Sequence, residues 1–91
     1  MKPYKIIAPP RLPTFGLPTV EDLNDLQIGD WVKLIFEPGE RMWVRLTDMN
    51  LGHRWIGKLD NYPDRAPLKH GDEIVFNPRD IIDVMTDPSS P

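Results

Sequence analysis

The 91-residue chain contains no cysteine, so it can build neither a disulfide framework nor a thiolate zinc site, and nothing in it points to an oxidising compartment. Histidine is nearly as scarce, with only His53 and His70, and the serines, Ser89 and Ser90, stand together in the last three residues. A nucleophile paired with a histidine base therefore lacks its materials. Neither histidine has the ligand spacing of a metal site, and each reads as a solvated side chain. Carboxylates are plentiful, but Asp60 and Asp64 flank a turn and Asp72-Glu73 opens a strand, which is how Asp behaves in turns. No run approaches the roughly 18 apolar residues of a membrane span, and the N-terminus lacks a signal-peptide hydrophobic region. A surplus of positive charge is missing too: the net charge of -3 weighs against a dedicated duplex-DNA binder. These absences predict a non-enzymatic, cytoplasmic protein with no cofactor, no metal and no membrane partner.

What the chain does have is proline, 11 residues of it, which leaves material for about one small domain plus tails. A domain of this size buries only roughly 60% of its unfolded surface. The division expected is a proline-rich basic arm over residues 1–18, a single barrel domain over 19–86 and a frayed tail over 87–91. The arm carries Lys2, Lys5 and Arg11, no acid, and Pro3, Pro9, Pro10, Pro13 and Pro18, so it is extended rather than helical. Pro10-Arg11-Leu12-Pro13 has PxxP spacing, yet Ile6, Ile7, Leu12 and Phe15 give the arm a reason to pack along its own domain. Thr19 then caps a short helix beginning at Val20, with Asp22 three residues after the cap as in a capping box.

The chain is organised around residues 26–46, where two alternating runs meet across Pro38-Gly39. Val32, Leu34 and Phe36 alternate with Trp31, Lys33, Ile35 and Glu37, and Met42, Val44 and Leu46 alternate with Arg41, Trp43, Arg45 and Thr47, the period of half-buried strands. A two-residue loop would oppose Phe36 to Arg41. A three-residue loop, Pro38-Gly39-Glu40, pairs Phe36 with Met42, Leu34 with Val44 and Val32 with Leu46, sets Glu37 against Arg41, and makes one face wholly apolar. That register places Arg45 opposite Lys33 and Trp43 opposite Ile35.

Further strands follow at 53–60, 73–77 and 81–85, separated by a proline-bearing loop at 61–69 and a tight turn at 78–80. In the third strand Trp55, Gly57 and Leu59 share one face and Arg54, Ile56 and Lys58 the other. Its parity with the second strand fails unless a bulge intervenes, and Gly57 suits a close bend. Leu26-Gln27-Ile28-Gly29-Asp30 and Leu68-Lys69-His70-Gly71-Asp72 share the pattern Leu-x-x-Gly-Asp at an offset of 42 residues, a reused turn at the head of a strand. The fold class predicted is mainly β, a small five-stranded SH3-like barrel with a short N-terminal helix and the proline-rich arm. An OB-fold is the runner-up, lacking a good helix between its third and fourth strands.

The blocks from Gly29 to Glu37, Gly39 to Val44, Gly57-Lys58-Leu59-Asp60-Asn61-x-Pro63, and Leu68 to Phe76 together resemble the YegJ-like bacterial domains of unknown function. The resemblance covers about residues 26–84. It implies a bacterial or phage source and a compact β domain, and carries over no catalytic residue.

The candidate binding face is the outer side of the hairpin, where Trp31, Trp43 and Trp55 are expected among Lys33, Arg41, Arg45 and Arg54. Trp and Arg dominate interface hot spots. Either these tryptophans are covered by the arm or the helix as part of the core, or they meet a partner. A protein partner is the first reading, as for an inhibitor, immunity-type or accessory protein. A single-stranded nucleic acid is the alternative, since stacking aromatics with basic neighbours serve both.

Overall fold

A computed structural model describes residues 4–9 and 17–88, with the backbone alone for residues 50 and 51. Leu12 and Phe15 of the arm and the last three residues lie outside it. The described chain runs β1 (Ile6–Ile7), α1 (Val20–Asn24), β2 (Trp31–Phe36), β3 (Glu40–Leu51), β4 (Arg54–Leu59), β5 (Glu73–Phe76), a 3-10 turn (Pro78–Asp80) and β6 (Asp83–Met85). The element α1 is a little over one turn, with Thr19 accepting from the Asp22 amide and the Asp22 carboxylate accepting from the Thr19 amide.

Alternation dictates the core. Val32, Leu34 and Phe36 of β2, Met42, Val44 and Leu46 of β3, Leu59 of β4 and Ile74 and Phe76 of β5 are all buried on one side of a single antiparallel sheet. Leu26, Leu68 and Ile81 close its ends.

The register of the central hairpin differs from expectation by two residues. Phe36 stands opposite Glu40, Leu34 opposite Met42 and Val32 opposite Val44, so the turn is Glu37-Pro38-Gly39, closed by the Gly39 amide donating to the Phe36 carbonyl at 2.7 Å. Glu37 does not face Arg41; its carboxylate lies 3.9 Å from the Lys5 ammonium. A slip of two leaves every side chain on its own face, so apolar patterning cannot choose between these registers. Glu40 chooses. Its carboxylate accepts the amides of Asp64, Arg65 and Ala66 at 2.6, 3.0 and 2.8 Å, which requires it to stand inside the strand rather than in the turn. These three amides hold the Glu40 carboxyl below its ordinary range, that of Asp64 most strongly.

The second hairpin turns at Gly52-His53 and contains the expected irregularity, shifts between Leu46 and Asp48 and between Asp48 and Leu51. These bring Leu59, rather than Lys58, opposite Val44. Gly57 lies opposite Leu46 with no space for a side chain: a Cβ there would stand 2.5 Å from both the Arg45 carbonyl oxygen and Val44 Cγ1.

The repeated Leu-x-x-Gly-Asp pattern becomes the same clasp twice. Asp30 accepts the Gln27 amide at 2.9 Å and Asp72 accepts the Lys69 amide at 2.8 Å. Gly29 and Gly71 take φ of 97° and 89°, where a glycine is at ease. Their amides donate to Leu46 and Leu59, whose own amides return bonds to the Asp30 and Asp72 carbonyls.

The sheet runs β1-β2-β3-β4-β5, and β6 also pairs with β2. One edge of β2 is therefore shared between β6 at Trp31, Val32 and Lys33 and β1 at Ile35 and Phe36. Across the remaining seam the Tyr4 hydroxyl accepts the Val75 amide at 2.9 Å and donates to the Val75 carbonyl at 3.4 Å. The barrel is nearly closed.

Two substitutions test this packing. Leu34→Ala is expected to cost about 2 to 5 kcal/mol, and Gly57→Ala about 1 to 3 kcal/mol through overpacking against backbone; urea unfolding of both variants against the parent is the check.

Candidate functional site

The hairpin register that Glu40 imposes also rearranges the outer face. Arg45 stands opposite Trp31, and Trp43 opposite Lys33. The expected opposition of Arg45 to Lys33 does not occur, and with it goes the like-charge cost. Instead each cation covers a ring: Lys33 Nζ lies 4.8 Å from the Trp43 ring centre, and the Arg45 guanidinium 4.9 Å from that of Trp31. Arg45 also donates to the Gly29 carbonyl at 3.0 Å and pairs with Asp87 at 2.9 Å, and Lys33 has Asp83 as its cross-strand neighbour on β6.

The structure thus brings Trp31, Lys33, Trp43 and Arg45 together, with Arg41 one row further along, opposite Ile35. Trp31 and Trp43 are half-buried and stand outside the apolar core cluster. Trp55 and Arg54 do not join them. The bulges in β3 carry Trp55 to the core side, where it opposes Phe76 with ring centres 6.4 Å apart at 75°. Arg54 lines a cleft of about 480 Å³ at the barrel seam with Tyr4, Lys5 and His53.

In their place the face gains residues read as turn formers and solvated side chains. Directly after β4 the chain is pinned to β3, the Asp60 amide donating to the Trp43 carbonyl at 2.9 Å and the Trp43 amide to Asn61 Oδ1. That puts the Asp60 carboxylate where Trp31 Nε1 donates to one oxygen at 2.7 Å and His70 Nε2 meets the other at 3.1 Å. Tyr62 stacks on His70, centres 4.7 Å apart and planes 15° from parallel, while remaining 83% exposed. Three rings, Trp31, His70 and Tyr62, are thus linked through Asp60, while Asp60 and Asn61 hold the backbone of Trp43, whose ring lies under Lys33. The signal in the sequence was present but mute: the 42-residue echo puts His70 at the crest of a turn, as Ile28 is, without saying what the crest faces.

Chemically, Asp60 and His70 form a hydrogen-bonded acid–base pair, but the second carboxylate oxygen is taken by the indole. Among the described residues, no group of three or more His, Cys, Asp or Glu side chains could hold a metal ion, and no helix is long and apolar enough to cross a membrane. No family model, curated protein or solved structure matches the chain.

The Trp31 indole, then His70, depress the Asp60 pKa below the ordinary carboxylate value, with Arg45 adding to the effect. A depressed folded-state pKa gives stability that is present above the unfolded pKa and lost as pH falls through the folded one. The stability difference between the parent and Asp60→Ala is therefore expected to be fully developed above about pH 5 and to shrink below about pH 4. Urea unfolding across that range measures it, with indole fluorescence following the loss of the Trp31 bond.

Proposed function

We propose that this chain is a non-enzymatic protein-interaction domain of bacterial or phage source, an SH3-like barrel carrying a short helix and a proline-rich arm. The face it presents to a protein partner is the ring surface around Asp60. What supports the barrel assignment is the strand order, β6-β2-β3-β4-β5, with a single 3-10 turn joining β5 to β6. An inhibitor, immunity-type or accessory role fits a domain of this size whose binding residues are rigid rings rather than nucleophiles.

The observation that carries the choice of partner is how Lys33 and Arg45 are used. Each lies over a tryptophan ring within the face; Arg45 is also ion-paired with Asp87, and Lys33 stands opposite Asp83 in the ladder with β6. Cations so engaged hold rings in place and are poorly available to release counterions from a phosphate backbone. The rings offer what protein interfaces favour: large amphipathic surfaces, Trp31 and His70 held by Asp60, Trp43 under Lys33 and Tyr62 stacked on His70, so that little entropy is lost on binding. Single-stranded nucleic acid, which would use the same stacking surfaces, is the weaker reading for the same reason.

The test is capture of partners from the source cell with nuclease treatment, using parent, Tyr62→Ala and Trp43→Ala proteins. A protein retained by the parent and lost from both variants is expected, while Tyr62→Ala changes stability by less than about 0.5 kcal/mol as an exposed substitution. Retention should survive about 0.5 M salt, where surface charge is screened. Nuclease-sensitive capture with a steep salt dependence would replace this reading with the nucleic-acid one.

A further inference from the structure

In a barrel built in the order β1-β2-β3-β4-β5, β5 is bonded, among the described residues, to a neighbouring strand along one edge only. An open edge is a template for pairing with another chain, and proteins guard such edges. Here, among the described residues, the guard is a hydroxyl. The Val75 amide and carbonyl both turn outward, and Tyr4 OH meets both of them, as donor to one and acceptor from the other. The described arm is held by the two-residue strand β1, the Glu37 amide donating to the Lys5 carbonyl, an exposed ion pair of Lys5 with Glu37, the Tyr4 ring against Phe36, and Tyr4 and Ile6 packed half-buried on the edge of the core. The cleft of about 480 Å³ runs between the arm and β5, lined by Tyr4, Ile6, Val75 and Phe76, so the seam is not tightly filled.

We infer that β5 is a latent self-association edge, kept closed by Tyr4, and that when the arm lifts its occupant is β5 of a second copy. The edge is self-complementary about Val75. In an antiparallel ladder, a residue whose amide and carbonyl both face the partner exchanges two bonds with the residue directly opposite. With Val75 on a two-fold axis, each Val75 gives its amide to the other's carbonyl, the two groups that Tyr4 now satisfies. The same register sets Glu73 opposite Asn77 and Ile74 opposite Phe76, so no like charges meet and the apolar core positions of the two sheets continue across the junction. Val75, 38% exposed on the outer face, meets its own copy there. The closed two-fold arrangement stops at a dimer and does not run on into a fibre.

The experiment uses the full chain and sedimentation equilibrium over a range of concentrations. Tyr4→Ala removes the guard and is expected to dimerise at least about tenfold more tightly than the parent, a change of roughly 1.4 kcal/mol. Tyr4→Phe keeps the ring on Phe36 and loses only the hydroxyl, so it should shift the same way if the alanine variant does not fold. Adding Val75→Glu, at an exposed position, places two carboxylates face to face on the axis and should return either variant to the parent's behaviour. In the dimer the Val75 amide is expected to gain protection from hydrogen exchange. A folded Tyr4→Phe protein that associates no more than the parent would overturn the inference, and so would association indifferent to Val75→Glu.

Discussion

The Glu40 carboxylate sets the geometry on which the rest of the molecule depends. By taking three successive amides from residues 64–66, it fixes the loop that leaves β4, a segment whose prolines give it little regular structure of its own. It also fixes which residue of β3 faces which residue of β2. Both consequences converge on the outer face. The register puts a cation over each tryptophan, and the loop starts from Asp60 and Asn61, which pin Trp31 and Trp43. A carboxylate that accepts three amides at once, that of buried Ala66 among them, links the hydrogen-bond accounting of a loop to the alignment of a hairpin.

The two Leu-x-x-Gly-Asp clasps act at the level of the whole barrel. Each ties the start of a strand to a neighbouring strand through a reciprocal pair of backbone bonds, the first to Leu46 of β3 and the second to Leu59 of β4. The first does one thing more. Asp30, 2% exposed, gives its second oxygen to the Asp87 amide, and Arg45 reaches the Asp87 carboxylate. A buried carboxylate of this kind is tolerable because backbone amides satisfy it. It also draws residue 87, read in the sequence as part of a frayed tail, back against the barrel.

Much of the fold was legible because period-two alternation is a strong signal: the core residues of β2 and β3 and the bulge required before β4 followed from parity, whereas Gly57, read as a bend, proves to be a close approach to the backbone of β3. The two-residue slip of the hairpin did not, since parity is blind to even shifts and the arbiter, Glu40, acts through amides some 25 residues away. The site was half legible. Trp31, Lys33, Trp43 and Arg45 lie on one strand pair, so alternation alone gathers them. Trp55 was misplaced because it shares the face of Leu59, which the bulge sends to the core rather than to the outer side, and Asp60, Tyr62 and His70 were passed over because a loop's side chains follow no period.

The sharing of one edge of β2 between β1 and β6 bears on how the molecule is made. The ribosome delivers β2, β3, β4 and β5 in the order in which they stand in the sheet, so each finds its neighbour already present. The edge of β2 that faces away from β3, however, is completed over Trp31 to Lys33 only by residues 83–85, near the very end of the described chain. During synthesis that half-edge stays open until residues 83–85 emerge, while β1, made before β2, is at hand to cover the other half at Ile35 and Phe36. The residues of β1 are thus placed to shield a nascent sheet, and the barrel is committed only when β6, the last of its strands in chain order, has emerged.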